Sequence, residues 1–263
     1  MKATIITPTF NARDFIVACV ENAAAQGEVV AEHIVADGGS TDGTAELVAE
    51  LQRTHPKLRL LPGPDKGQSD AMNKATALAT GEVIGILNAD DYYEPGAVAK
   101  GVGVLARYGG PALVCGDCRI LGPTGETLLV NRPRDLRPEA LLQDSWLFPI
   151  PANPAAYFYT RDVHDIVGGY DVDDSFAMDC EFLLTCAERV RMIYVPELWG
   201  NFRQIPGAKT FDDKDGPARV TALIERHKRG LTPAQHRRMR RVRAWREARF
   251  RAGQRLRRLG LRR

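Results

Sequence analysis

The sequence has no run of about 18 apolar residues, the length a helix needs to cross a bilayer. It has only five cysteines, odd in number and scattered, which excludes a disulfide scaffold and is typical of a reducing cytosol. Aromatic residues make up 7% of the 263 residues, but 44% are hydrophobic, enough to bury the core of one large or two small domains. The short apolar run at the start stops at Pro8, so we expect a first strand there rather than a signal peptide.

Motifs of several common enzyme classes are also missing. No G-x-x-x-x-G-K-[ST] loop occurs, which disfavours P-loop kinases and ATPases. No H-E-x-x-H occurs, and the five histidines have no metal-ligand spacing. The segment Cys115–Cys118 has the C-x-x-C spacing without a second pair, so we interpret it as part of a strand with incidental cysteines.

The net charge of +3 hides a strong asymmetry along the chain. Residues 226–263 contain 15 arginines and one lysine against one acid, which leaves 20 basic and 32 acidic residues in 1–225. Apolar residues recur in this tail at helical spacing: Val242, Trp245, Ala248, Ala252, Leu256 and Leu259. We expect a basic helical tail that holds a cytoplasmic protein peripherally on the anionic inner face of the cell membrane. Docking on the acidic body, as in a homo-oligomer, and nucleic-acid binding are the alternatives, and we expect no nucleic-acid partner.

Short β-branched runs alternate with helical patterns through the first 110 residues. The predicted strands are Ala3–Ile6, His33–Ala36, Leu58–Leu61 and Val83–Leu87. The predicted helices between them are Arg13–Ala25, Thr44–Arg53 and Ser69–Thr80. This alternation predicts βαβ units in an α/β, mostly parallel sheet, with ligands bound beyond the carboxyl ends of the strands.

From residue 111 onward the alternation loosens, and one clear helix is predicted near Asp179–Arg189. We therefore expect one domain over residues 1–215, with a regular first half (1–110) and a less regular second half (111–215). Residues 216–263 would form the basic helical tail.

An acidic cluster follows the predicted strand Val83–Leu87, in the order Asn88, Ala89, Asp90, Asp91. Adjacent carboxylates at a strand end raise each other's pKa unless a cation lies between them. Oxygen ligands with room for water and phosphate suit Mg²⁺ or Mn²⁺. The alternative is a solvated turn, since Asp and Asn are common turn residues.

Four ordered motifs resemble those of the family 2 glycosyltransferases with the GT-A fold: Thr7–Asn11, Ala36–Thr44, Asp65–Lys74 and Leu87–Asp91. The resemblance covers about residues 3–210. It implies a Rossmann-like α/β sheet flanked by helices and an inverting, metal-dependent transfer from a UDP- or GDP-sugar. Q-x-x-R-W and membrane helices, which processive synthases of this family carry, are both missing, which favours transfer of a single sugar.

The resemblance implies that residues 1–110 form the nucleotide-sugar half of the domain and residues 111–215 the acceptor half. It also assigns roles to residues on the nucleotide side. Phe10 would stack on the base, with Pro8 and Thr9 lining that edge. Asp37 would accept a hydrogen bond from the base. Two further residues would border the nucleotide and its diphosphate: Lys66 and Asp70.

Asn88, Asp90 and Asp91 occupy the place of the metal-binding D-x-D motif. Asp91 would be the direct metal ligand. Asp90 would face the ribose or the sugar, and it is the second candidate for the metal. Asn88 stands where the family pattern has Asp, and it would serve as a neutral oxygen ligand. Arg203 and Lys209 resemble cationic residues of a loop that closes over the diphosphate.

Asp179 aligns with the family's catalytic base, which takes a proton from the acceptor hydroxyl. Asp171, Asp173 and Asp174 lie in the preceding loop and are the competing carboxylates. Without the resemblance, Asp179 is explained as a carboxylate that stabilises a helix N-terminus. Relatives often carry Gln near Asn153, in the segment that resembles the acceptor site.

These patterns together predict an inverting glycosyltransferase that uses a lipid-linked or glycan acceptor in cell-surface polysaccharide synthesis. A sugar-1-phosphate nucleotidyltransferase would have the same alternation of strands and helices. It needs a Gly-rich basic N-terminal loop, however, and that loop is missing here. A non-catalytic nucleotide-sugar binder is the other alternative, and it would tolerate loss of Asp179.

Overall fold

The structure is a computed structural model that describes residues 1–143, 150–174, 176–205 and 215–258. Its strands are β1 (Ala3–Thr9), β2 (Val30–Asp37), β3 (Leu58–Pro62), β4 (Val83–Ile86), β5 (Tyr92–Tyr93), β6 (Ala112–Leu121), β7 (Thr127–Asn131), β8 (Tyr157–Thr160) and β9 (Arg191–Arg203). Its helices are α1 (Arg13–Ala24), α2 (Thr44–Leu51), α3 (Gln68–Leu78), α4 (Ala97–Tyr108), α5 (Pro138–Leu141), α6 (Asp162–Val167), α7 (Met178–Arg189), α8 (Gly216–Arg229) and α9 (Pro233–Arg258).

Within the described residues, the strands form one sheet in the order β3-β2-β1-β4-β8-β6-β9-β5, with β7 beside β6. Strands β3, β2, β1 and β4 pair in parallel, as the alternating pattern predicts. Strand β8 runs antiparallel to both β4 and β6, whereas β9 runs parallel to β6. The predicted α/β sheet with flanking helices is confirmed, and it is parallel in its first half and mixed in its second.

Alternate residues of the central strands bury opposite faces of the sheet, as the two-residue period of a strand requires. Ile6 and Ile84 belong to the core cluster that also contains α3 and α7 residues. Ile5 and Val83 belong to the cluster that contains α1 and α4 residues. Both faces are therefore covered, which explains why β1 is buried at every position.

Helix α8 packs against α7, and its Leu223 is buried in the same core. Arg226 of α8 forms an ion pair with Glu181 of α7, and His227 contacts Glu181 and Glu188. Charge complementarity therefore holds the start of the basic segment on the acidic body. In the described part of the chain, no helix is both long and apolar enough to span a membrane.

Helix α9 contacts the body near its first turns, where Arg238 pairs with the buried Glu139 at 2.9 Å. Farther along the helix, Trp245 and Phe250 are 56% and 48% exposed. The side chain of Glu247 pairs with Arg243 and with Arg251. An arginine-rich helix with exposed aromatic side chains therefore extends beyond its contact with α5.

The C-x-x-C segment lies within β6, as expected. Cys115 and Cys118 are both buried and neither is disulfide-bonded. Burial raises the pKa of the Cys118 thiol to about 12, so the thiol is not activated. Asp117 between them accepts hydrogen bonds from Tyr194 and Arg132.

Candidate active site

The carboxyl ends of β1, β2 and β4 meet at one edge of the sheet. Thr9 at the end of β1 is paired with Asp37 at the end of β2, and the Leu87 amide donates to the Ile6 carbonyl. Phe10 follows β1 directly and is 66% exposed. The predicted site residues of the nucleotide half therefore share one edge, as expected for a parallel sheet.

The loops after β1 and β2 are joined to each other. Asn11 adopts a left-handed conformation (φ 50°), and its Oδ1 accepts a hydrogen bond from the Thr41 amide at 2.8 Å. Asp37 is buried, and its carboxylate accepts from the amides of Gly39 and Ser40 and from the Ser40 hydroxyl. Asp37 therefore organises its own loop.

Pro8 and Thr9 are buried at the end of β1, directly before the exposed Phe10 in the chain. The Thr9 hydroxyl is buried and has no hydrogen-bond partner among the described residues. These positions suit an edge that supports a flat ligand stacked on Phe10.

Lys66 and Asp70 lie at the start of α3. The Asp70 carboxylate accepts from the Lys66 amide at 2.9 Å and pairs with Lys74 at 2.8 Å. The hydrogen bond from Lys74 is the main reason why the pKa of Asp70 is lowered. The side chain of Lys66 is exposed, and it places a second cation beside Lys74 at the start of this helix.

Asp91 is the most enclosed carboxylate of this edge, with 3% of its surface exposed. Its Oδ2 accepts from the side-chain amides of Asn88 at 2.9 Å and Asn153 at 2.8 Å. Its Oδ1 accepts from the Arg203 backbone amide at 3.0 Å. Burial, and then the neighbouring charge of Asp90, raise the pKa of Asp91 to about 7.

Asp90 and Arg203 lie beside Asp91. The Arg203 side chain donates from Nε to the Asp90 backbone carbonyl, and its guanidinium lies over the Phe15 ring at 5.3 Å. Burial raises the pKa of Asp90, and the Arg203 charge opposes this shift. Arg203 thus brings a cation to the acidic cluster, whereas Lys209 lies outside the described residues.

Asp179 is the second residue of α7, where a carboxylate is stabilised by the helix dipole. The Tyr157 hydroxyl donates to its Oδ1 at 3.4 Å. The preceding Met178 accepts a hydrogen bond from Ser69 of α3 at 2.8 Å. Asp179 is therefore positioned by β8, while its helix start contacts the nucleotide half.

Two of the competing carboxylates before α7 accept hydrogen bonds within their own loop, and Asp174 also pairs with Arg219 of α8 at 3.5 Å. Asp171 accepts from the Asp173 amide at 2.9 Å. Asp174 accepts from the amides of Phe176 and Ala177. These bonds shape the loop that leads into α7.

Asn88 is a predicted site residue that donates to Asp91, but sequence reasoning missed the other side chains that hold the two carboxylates. One short segment contacts both, because Asn153 donates to Asp91 and Tyr157 donates to Asp179. Gln68 was missed as well, and its amide donates to Asn88 Oδ1 at 3.0 Å. The Asn-Pro step at 153 predicts a local cap, but nothing in the sequence identifies Asp91 as its partner.

The sequence pattern of Glycosyl transferase family 2 matches residues 4–167, which is more than half of the chain. This chain belongs to that family. An uncharacterized glycosyltransferase of Mycobacterium tuberculosis is 32% identical to it over 197 residues, covering 70% of this chain and 68% of the relative. A chondroitin synthase of Pasteurella multocida is 38% identical over 95 residues, so the match covers 36% of this chain but a tenth (10%) of the synthase.

Two solved structures show the same fold as this family 2 member. The mannosyltransferase PcManGT from Pyrobaculum calidifontis, in complex with GDP-Man and Mn²⁺, aligns with a TM-score of 0.63 at 22% identity over 93% of this chain and 69% of that chain. S. aureus TarS 1-349, in complex with UDP-GlcNAc, aligns with a TM-score of 0.62 at 18% identity over 86% of this chain and 66% of that chain. The sheet is therefore of the GT-A type.

The residues at the strand end fit the divalent cation that the fold implies. Asp90 and Asp91 are adjacent, desolvated carboxylates whose pKa values are raised, and a cation would favour their charged forms. The described residues contain no group of three or more His, Cys, Asp or Glu side chains able to hold a metal. Further ligands would come from water and diphosphate oxygens, as is usual for Mg²⁺.

Proposed function

We propose that this family 2 glycosyltransferase moves one sugar from a UDP- or GDP-sugar to a hydroxyl of a lipid-linked or glycan acceptor, with inversion at the anomeric carbon. The observation that carries the proposal is the segment from Asn153 to Tyr157, which contacts both carboxylates. It links Asp91, on the nucleotide side, to Asp179, on the acceptor side. An inverting displacement needs this division, with one group for the leaving diphosphate and one base for the nucleophile.

The donor would lie across the ends of β1, β2 and β4. Phe10 offers an exposed ring for the base, and Asp37 lies at the neighbouring strand end. Arg203 and Lys66 supply positive charge toward the diphosphate. A divalent cation at Asp91 and Asp90 would neutralise the charge that develops on the leaving diphosphate.

Asp179 would act as the base. Its carboxylate takes the proton of the acceptor hydroxyl as that oxygen attacks the anomeric carbon and the bond to the diphosphate breaks. The hydroxyl of Tyr157 orients the carboxylate through Oδ1. One base suffices because a single displacement forms no covalent enzyme intermediate.

The relatives and structural neighbours support the chemical class of the substrates. The named complexes of TarS and PcManGT contain UDP-GlcNAc and GDP-Man with Mn²⁺, respectively. The relative from Pasteurella multocida is a polysaccharide synthase by name. We infer a nucleotide-sugar donor and a role in polysaccharide-related synthesis for this chain.

We also propose that α9 attaches the enzyme to the anionic cytosolic face of the cell membrane. Trp245 and Phe250 are exposed on an arginine-rich helix, a composition typical of helices that bind an anionic interface. A chain ending at Arg240 would keep the contact of Arg238 with Glu139 and lose the exposed part.

Liposome co-sedimentation tests this attachment. The full chain should pellet with phosphatidylglycerol vesicles at low salt and be released at high salt. Salt screens the attraction between arginines and anionic lipids, whose range is already only about 8 Å at physiological ionic strength. Phosphatidylcholine vesicles are the control. Equal pelleting of the shortened chain would contradict a membrane role for α9.

The catalytic proposal is tested by screening nucleotide sugars for thermal stabilisation with Mn²⁺ and then measuring release of the nucleoside diphosphate. A stabilising donor whose diphosphate is released on addition of acceptor supports the proposal. Release of pyrophosphate from a nucleoside triphosphate and a sugar-1-phosphate would indicate a nucleotidyltransferase. Binding without release under any acceptor would indicate a non-catalytic binder.

A further inference from the structure

We propose that Asn88 and Asn153 form an amide clamp that positions the Asp91 carboxylate before any metal or donor binds. The amide clamp is the pair of side-chain N–H groups that both donate to Asp91 Oδ2. In this proposal neither asparagine is a metal ligand, and both act through Asp91. The role of Asp91 toward a metal rests on the proposed function, whereas the clamp itself rests on hydrogen bonds and burial.

Asn153 is the buried arm of the amide clamp, with 4% of its surface exposed. Its Nδ2 donates to Asp91 at 2.8 Å, and its Oδ1 accepts from the Ala155 amide at 2.8 Å. The second bond caps the 3₁₀ turn at Pro154–Ala156 and determines which end of the amide faces Asp91. Asn153 therefore presents a donor toward Asp91 in a fixed orientation.

Asn88 is the half-exposed arm, and both ends of its amide are also used. Its Nδ2 donates to Asp91 at 2.9 Å, while its Oδ1 accepts from Gln68 Nε2 at 3.0 Å. An aspartate at this position would have no N–H to donate to Asp91. The departure from D-x-D therefore exchanges one negative charge for one hydrogen-bond donor.

Burial explains why Asp91 needs the clamp. A carboxylate with 3% exposure loses most of its hydration, and its charge is tolerated only when hydrogen-bond donors replace the water. The two amides and the Arg203 backbone amide supply three donors from three separate segments. A carboxylate held in this way has its orientation set without a cation, as outer-shell groups do for metal ligands.

The test measures melting temperatures of the full chain in EDTA and in excess MnCl₂, with no donor present. Asn88→Asp and Asn153→Asp each replace a donor by a carboxylate next to Asp91. Each should lower the melting temperature in EDTA by about 5 °C, because a buried charge loses a donor and gains a like charge. Mn²⁺ should restore most of this loss, since a cation relieves repulsion between the two carboxylates.

Two matched control variants separate the effect of losing the amide clamp from the effect of losing any other side-chain amide. Asn131→Asp removes a buried amide that donates to the Ile150 carbonyl at 3.0 Å, and it matches Asn153→Asp. Asn22→Asp removes a half-exposed amide that donates to the Tyr93 carbonyl, and it matches Asn88→Asp. Both controls should lose stability without gaining a larger response to Mn²⁺ than the unmodified chain.

A larger Mn²⁺-induced rise in the two clamp variants than in the unmodified chain and the controls supports the proposal. A rise no larger than that of the unmodified chain would overturn it. If Asn153→Asp fails to fold, the half-exposed Asn88→Asp decides the question alone. Because no nucleotide sugar enters this experiment, failure of the proposed transferase activity would leave its result intact.

Discussion

In the first half of the sheet, the ends of parallel strands carry the site residues. Asp91 lies a short turn after β4, and its buried carboxylate accepts three hydrogen bonds. In the second half the strands are mixed, and Asp179 comes from the start of a helix with Tyr157 beside it. A buried carboxylate with three donors is suited to hold a ligand in one geometry. A half-exposed carboxylate at a helix N-terminus is suited to meet a second substrate. The difference supports the proposed division, with donor binding in the first half and proton transfer in the second.

The largest expected effect is a loss of turnover from a substitution in the second half alone. Asp179→Asn keeps the shape of the side chain but cannot accept a proton, so turnover should fall by about 10²-fold or more. Donor affinity, measured by calorimetry, should stay within a factor of about two. Asp173→Asn is the matched control, and an equal loss of turnover in that variant would transfer the role of base to the preceding loop.

The next largest expected effect is a loss of donor affinity from a substitution in the first half. Asp91→Ala should abolish the Mn²⁺-dependent part of donor binding, a loss of about tenfold or more in affinity, because it removes the oxygen ligand that we propose for the cation. Calorimetric titration with the donor, in Mn²⁺ and in EDTA, measures the effect. Glu50→Gln, which removes an exposed charge from α2, should leave both affinities unchanged. An unchanged Mn²⁺-dependent affinity in Asp91→Ala would contradict the division between the halves.

The smallest expected effect concerns stability of the first half. His33 of β2 is buried, and its Nε2 lies 2.8 Å from the Thr7 hydroxyl. Burial, with a smaller contribution from His55, lowers the pKa of His33 to about 3, so the folded chain keeps this ring neutral. The unfolded chain binds a proton below a pH of about 6.5, and unfolding therefore becomes easier as the pH falls toward 3.

Urea unfolding of the unmodified chain and of His33→Gln measures this effect. The unmodified chain should lose about 1.2 kcal/mol more between pH 6 and pH 5 than the variant does. An NMR titration of the unmodified chain is an independent check, and the His33 ring signals should not shift down to a pH of about 5. A ring that titrates near its ordinary pKa would show that β2 opens more readily than its burial indicates.

The parallel half of the fold was predictable because its signals are local. The predicted strand Leu58–Leu61 and helix Arg13–Ala25 agree with β3 and α1 within one residue. Strand β2 starts at Val30, earlier than predicted, because Glu32 occupies a buried position and its charge is satisfied by Arg59 and Thr80. A charged residue in a strand gives no sequence signal of such pairing.

The mixed half of the sheet, and the side chains that orient the two carboxylates, were not predictable because they depend on long-range contacts. Strand β8 has only four residues, and its pairing with β4 joins positions more than 70 residues apart. The contact of Asn153 with Asp91 has the same long-range character. Motifs identified the chemical groups themselves, because residue type and strand-end position suffice for that. They did not show that Asn88 and Asn153 donate to Asp91, nor that Tyr157 orients Asp179.

The pairing of β8 with β4 also has a consequence for synthesis of the chain. Until residues 157–160 have left the ribosome, β4 has no partner on the side that faces β8, so the nascent parallel half presents an apolar, unpaired strand edge. Contacts of such long sequence separation slow folding and expose intermediates to aggregation. We expect this protein to complete its sheet late, when most of its length has been translated, and to benefit from chaperones during that interval.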